Sequence, residues 1–149
     1  MSENFLRLIP IDPQYVPSQV AQYQVKSLLA SFLPEKEIQV KLSEEVAFID
    51  AGNNLELIQC PACEAPVSCE WWSAMMDHAY ASSHFLNLNV TMPCCATMVS
   101  LNNLHYMWPV GFARFVIEIR APERGLAERL QPLIQPMLGC PIRKIHAHY

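Results

Sequence analysis

Two cysteine groups constrain this chain more than any other feature: Cys60-Pro61-Ala62-Cys63 and, thirty-odd positions on, Cys94-Cys95. A C-P-x-C turn sets two thiolates on one tight knuckle, the geometry that tetrahedral zinc requires. The second group closes such a site if its backbone turns sharply enough for neighbouring residues to reach one ion. Cys60, Cys63, Cys94 and Cys95 therefore make the simplest four-thiolate set, with Cys69 or His84 as substitutes for either member of the second pair. Four thiolates leave no position open for water or substrate, so the metal expected here is structural zinc.

The chain of 149 residues is 52% hydrophobic and only 16% charged, which suits one well-buried domain or a domain with a substantial insertion. No apolar run approaches the ~18 residues of a membrane span. The opening Met1-Ser2-Glu3-Asn4 lacks the basic start of a secretory signal. A cytoplasmic location is the resulting expectation, and there cysteines stay reduced, which favours metal or catalysis over disulfides.

The flanks of the cysteine region repeat one plan. Phe5 to Ile11 suggests a strand, Pro17 a helix start, and Ala21, Val25, Leu28, Leu29 and Phe32 an apolar helical stripe ended by Pro34. Ile38–Leu42 and Val46–Ile49 return to strand composition. The far flank reads the same way: a strand over Phe112–Ile119, Pro122 where a helix would begin, and a stripe of Leu126, Leu130, Leu133, Ile134, Met137 and Leu138. Gly139 ends that helix, Pro132 and Pro136 are expected to kink or interrupt it, and Ile142–Tyr149 alternates as a final strand.

Two β-α-β halves, 1–50 and 112–149, predict an α+β fold: a ferredoxin-like split β-α-β sandwich whose antiparallel sheet carries two helices on one face. Residues 51–111 between them are too many for a structureless loop and predict an inserted zinc-ribbon-like subdomain within one compact domain. Inside it, Leu55–Ile58 leads as a strand into the CPAC knuckle. Ser68 caps a helix carrying Trp72, Met75, Met76 and Ala79, and Leu86–Val90 runs toward Cys94. The uncovered sheet face or an edge strand leaves room for a second copy, though no residue pattern demands a homodimer.

Charge sorts the function classes. From Leu42 through Ala113 there is no Lys or Arg, while Glu44, Glu45, Asp50, Glu56, Glu64, Glu70 and Asp77 all fall there. A four-thiolate zinc adds roughly two more negative charges. Zinc modules that grip nucleic acid need cations to displace counterions from phosphates, so nucleic-acid binding through this region is excluded. An acidic insertion suits a protein partner with a basic surface.

Enzymatic readings are thinner. A thiol-disulfide oxidoreductase using Cys60 and Cys63 is the alternative, but Pro66 and Ser68 place the next helix after the knuckle, not at it. A zinc deaminase needs H-x-E upstream, and no histidine precedes His78. There is no G-x-S-x-G, phosphate-cradling glycine loop or H-E-x-x-H. His146 and His148 alternate on the terminal strand and share a side. Trp71-Trp72 and the run Tyr106–Phe112 concentrate the aromatic residues, the latter as a turn between insertion and sheet.

Cys60-Pro-Ala-Cys63, Trp71-Trp72, Met76-Asp77, Pro93-Cys94-Cys95 and the stretch from Leu101 to Phe115, with its Gly111-Phe-Ala-Arg-Phe115, resemble a family of small uncharacterised bacterial proteins. That family reads CPxC, PCC and a GFARF-like strand. The resemblance implies that the cysteines work as a unit and implies no activity. Glycines that commonly follow both cysteine groups there are Glu64 and Ala96 here. The expectation from all of these features is a zinc-stabilised protein-binding module, an immunity or antagonist protein in its most concrete form, without a catalytic residue.

Overall fold

The structure, a computed structural model, describes residues 2–149. Strands β1 (Asn4–Pro10), β2 (Ile38–Ile49), β7 (Gly111–Arg120) and β8 (Ile142–His148) form one antiparallel sheet in the order β2-β7-β1-β8. Helix α1 (Gln19–Ala30) joins β1 to β2, and α3 (Leu126–Leu138) joins β7 to β8. Between β2 and β7 lie β3 (Leu57–Gln59), α2 (Cys69–Ser83), β4 (Asn89–Thr91), β5 (Met98–Ser100) and β6 (His105–Met107), with β3 paired to β6 and β4 to β5. The fold is mixed α+β, as the two repeated flanks indicate.

Both connecting helices bury their stripes on one sheet face. Val25 and Leu29 of α1 and Leu126, Leu130, Ile134 and Leu138 of α3 meet Leu6, Leu8, Phe115, Ile117 and Ile119. Ser18 starts α1 by accepting the Ala21 N–H at 3.1 Å, a cap that also leaves Pro17 just outside the helix. Helix α3 begins at Leu126, later than Pro122 suggests, and runs unbroken through Pro132 and Pro136. The two prolines lie one turn apart on the exposed side. Each frees a carbonyl, on Glu128 and Pro132, that belongs to a water-facing residue, so the buried stripe is untouched.

The opposite sheet face is not open. Ile9, Phe112, Val116 and Ile145 share one core with Val67, Met76, Ala79, Leu88, Val90 and Tyr106 of the insertion. Aromatic rings carry the contact: Phe112 lies 5.4 Å from Phe48 and 5.3 Å from Phe85, and Phe48 lies 5.6 Å from Trp72. The insertion is thus a third layer on the sheet, and residues 51–111 fold against it rather than apart from it.

Two devices aim the insertion at this face. Strand β2 is continuous but irregular: Leu42 pairs with Phe115 and Ala47 with Ala113, so five steps along β2 span two along β7. That bulge turns Val46 into the insertion core and leaves Glu44 and Glu45 exposed. The segment after β2 then lies along the outer edge of β8. Asn53 N–H donates to the His148 carbonyl at 2.7 Å, His148 N–H to the Ala51 carbonyl at 3.1 Å, and the Asn54 amide to the His146 carbonyl at 2.9 Å. Gly52 makes this possible. Its φ is +60°, and a Cβ there would sit 2.2 Å from the His148 oxygen. The C-terminal end of this edge strand is therefore covered.

Within the insertion, Ser68 caps α2 by accepting the Trp71 N–H at 3.1 Å. His84 and Phe85, at φ of 52° and 64°, end that helix, so extended structure resumes only at Asn89 and Leu86 is exposed. Tyr106 and Met107 belong to β6 instead of a turn, and the connection to β7 narrows to Trp108–Val110. Trp72 Nε1 donates to the Tyr106 hydroxyl at 3.1 Å, which donates to the Leu101 carbonyl at 2.6 Å. Burial pushes the Tyr106 hydroxyl up to about 12.

A Tyr106→Phe variant should lose about 1–3 kcal/mol, because it strands the Leu101 carbonyl and the Trp72 N–H; the urea midpoint reads this. The alkaline limb should change too. An unfolded tyrosine ionises near pH 10, so the contribution of a buried neutral Tyr106 is complete below pH 10 and fades as pH rises through about 12. Stability should fall less steeply across that window in the Phe variant than in the native protein.

Candidate metal centre

The sulfurs of Cys60, Cys63, Cys94 and Cys95 all lie within 4.8 Å of one another. Cys60 Sγ is 3.8 Å from Cys95 Sγ, and Cys63 Sγ is 3.3 Å from Cys94 Sγ. With Zn–S bonds of about 2.3 Å, a tetrahedron spaces its sulfurs ~3.8 Å apart. The cluster matches that size, and its donors are all sulfur. These four cysteines could hold a metal ion.

The backbone explains how Cys94 and Cys95, adjacent in sequence, reach one point. Strand β3 enters the first knuckle, where Cys60 N–H donates to the Ala65 carbonyl at 2.9 Å and Glu64 N–H returns to the Cys60 carbonyl at 2.9 Å. Strand β4 enters the second, where Met92 N–H donates to the Thr97 carbonyl and Ala96 N–H to the Met92 carbonyl, both again at 2.9 Å. Glu64 and Ala96 each sit fifth in the loop with φ of 65° and 60°. The two loops are one design used twice, C-P-A-C-E-A and M-P-C-C-A-T. Cys63 and Cys95 occupy the same fourth position. At the first position the second loop has Met92, which is fully buried, and its other sulfur comes from Cys94 at the third position instead.

This pairing across loops shapes the chemistry. The close sulfur contacts run between the knuckles rather than within the CxxC. Cys60 is buried at the base of the cluster, whereas Cys63, Cys94 and Cys95 are exposed. Contact with Cys63 and the other sulfurs pushes the Cys94 thiol up to about 12. Cys95 moves the other way, to about 7, because the Thr97 hydroxyl, 3.3 Å away, and the Thr97 backbone N–H stabilise its thiolate. A cation among the sulfurs relieves the crowding that holds the proton on Cys94.

The substitutes named from sequence lie elsewhere. Cys69 opens α2 outside the cluster, and His84 stacks on Tyr80 at 5.0 Å while its Nδ1 sits 2.9 Å from Glu45. His146 packs edge-on to Trp108, and His148 contacts Asn4 at 2.7 Å. Trp72 belongs to the aromatic core, and Trp71 packs partly buried at its margin. Helix α2 begins nine residues after Cys60, so the CxxC does not itself open a helix. Thr97 was not singled out from the sequence; lining up the two prolines, Pro61 and Pro93, exposes the repeat that places it.

The chain matches no protein-family model, and no curated protein or solved structure is significantly similar to it.

Non-glycine residues in the left-handed region cost roughly 1 kcal/mol relative to glycine. Ala96→Gly should therefore stabilise the protein by about that amount, with Glu64→Gly similar. Thermal unfolding checks both, and a loss of stability in either would contradict the strain assigned to these positions.

Proposed function

We propose that the four cysteines hold one zinc ion as a structural clamp, and that the protein is a binding module whose acidic insertion meets a basic partner protein. The carrying observation is the duplicated knuckle, which converges four sulfurs with no fifth donor among the described residues, the closed set of a structural site. Zinc supplies positive charge that keeps four crowded thiolates together, and the chain supplies their spacing. In this reading the sheet order, with its two split β-α-β halves, makes the fold ferredoxin-like and the two knuckles make the insertion zinc-ribbon-like.

The partner follows from what the clamp leaves on the surface. Glu44, Glu56, Glu64, Glu70 and Asp77 are exposed, and none has a cation within 4.0 Å among the described residues. Bound zinc with four thiolates adds to the same negative field. Such a surface attracts and orients a basic protein, as an immunity or antagonist protein would require.

Purified protein should contain one zinc per chain, with Cys60, Cys63, Cys94 and Cys95 modified by a thiol reagent only after chelation. Metal-free protein with a reversible Cys60–Cys63 disulfide would instead support the oxidoreductase. Visible thiolate-to-metal absorption would favour iron in the same S4 set. Cys60→Ser should release the metal and lower stability well beyond a surface substitution, since metal binding and folding are linked. The partner half of the proposal is tested separately. Glu64→Lys, Glu70→Lys and Asp77→Lys together should abolish capture of a basic partner while leaving zinc content intact, and unchanged capture would remove its basis.

A further inference from the structure

Arg143 of β8 lines a cavity of about 400 Å³ with Asn103, Leu104, His105, Pro109 and Val110. Its side chain is half-buried, yet no carboxylate lies within 4.0 Å of it among the described residues. A partly desolvated charge is ordinarily paired. Burial accordingly pulls the Arg143 pKa below its usual value, while the guanidinium still stays charged.

The hydrogen bonds are lopsided. Nη1 alone donates to the Asn102 carbonyl at 3.0 Å, the Asn102 side-chain oxygen at 2.9 Å and the Val110 carbonyl at 3.0 Å. Nε and Nη2 make no hydrogen bond to the described residues, and neither is fully enclosed, so both stay open to solvent on a side chain that lines the cavity. A single ammonium would satisfy the three interior acceptors. A guanidinium adds a second, outward edge with a fixed two-pronged donor geometry.

The protein also makes room for this group. Gly111 has an ordinary backbone, so flexibility does not explain it. A Cβ there would lie 2.7 Å from Ile9 Cδ1 and 3.1 Å from Arg143 Nη1. The glycine holds space for the guanidinium, whose Nη1 is held by three acceptors while its other two nitrogens stay unpaired among the described residues, at the wall of the pocket.

We infer that this pocket binds a carboxylate carried on a small apolar group. The guanidinium fork matches a carboxylate in two parallel N–H···O bonds. Leu104, Pro109 and Val110 offer apolar wall to the rest of the ligand. One guanidinium balances one negative charge, and the surrounding chain, net −4, disfavours a phosphate dianion at the same place.

The test titrates ¹⁵N-labelled, zinc-loaded protein with benzoate at fixed ionic strength, reading the Arg143 Nε–H and the Asn103 and Val110 amides. Benzamide and inorganic phosphate serve as comparison probes. Benzoate should give saturable shifts at these groups, with benzamide and phosphate at least roughly tenfold weaker. Arg143→Lys, which keeps the charge and loses the fork, should weaken benzoate by a similar factor. Should that variant misfold, Asn103→Asp decides: the residue is exposed in the lining of the same pocket, makes none of the interior bonds of Arg143, and the change adds a competing carboxylate to that pocket. Its benzoate binding should fall roughly tenfold or more. No benzoate response, an equal response to phosphate or benzamide, or unchanged binding in Asn103→Asp would overturn the inference.

Discussion

Strand β7 is apolar on both faces, and the architecture depends on that. Phe115, Ile117 and Ile119 meet the two helices, while Phe112 and Val116 meet the insertion. A strand buried twice carries apolar residues on both faces instead of a strict alternation, and Phe112–Ile119 reads that way except at Arg114 and Glu118. Arg114 turns to the β2 bulge, where its Nε donates to the Ser43 carbonyl at 3.1 Å, and Glu118 marks the limit of cover. Beyond the insertion's footprint it holds Arg7 at 2.9 Å and Lys41 at 3.2 Å, and Arg7 lies over the rings of Phe5 and Tyr149. The same sheet face is thus hydrophobic where a third layer lies on it and charged where water does.

How much of this was legible follows from the same distinction. Local rules placed the four main strands and three helices, because strand composition and three-to-four spacing report directly on local structure. Ser18 and Ser68 act as N-caps, of which Ser68 was identified from sequence, and Gly139 ends α3 with φ of 76°. What local rules misjudge is the outcome of competition. Pro132 and Pro136 each remove a hydrogen bond, but five buried residues on the opposite side of α3 hold the helix together. Leu86 looks like strand and is displaced by two left-handed residues before it. The third layer itself could not be read, since nothing in one sequence says which face of the sheet Trp72 and Tyr106 will cover.

The candidate site was legible by residue and not by mechanism. All four sulfurs come together as the two cysteine groups suggest, while the reason lies in a repeat that residue types partly hide. Met92 replaces the first cysteine of the second knuckle, so a search for CxxC twice finds it once. The backbone hydrogen bonds are unaffected by that exchange, because they run through main-chain groups. A loop conserved in backbone and shifted in ligand position can therefore present adjacent cysteines to one ion. Buried Met92 then fills apolar space at the place where Cys60 supplies a sulfur.

These features set where a metal would act. Both knuckles are hairpin ends, reached from β3 and β4, and the strands feeding them bury Ile58 and Val90 in the core shared with the sheet. Tying the two tips together restrains both strands, and through them the layer that covers Phe112. The clamp need not touch the sheet to stabilise it, because packed side chains transmit the constraint. By the same logic, losing the metal should loosen the sheet's second face as well as the tips. The sheet's helical face, with its separate core of Leu6, Leu8, Val25, Leu29 and Ile134, has no such dependence and would hold its packing longer.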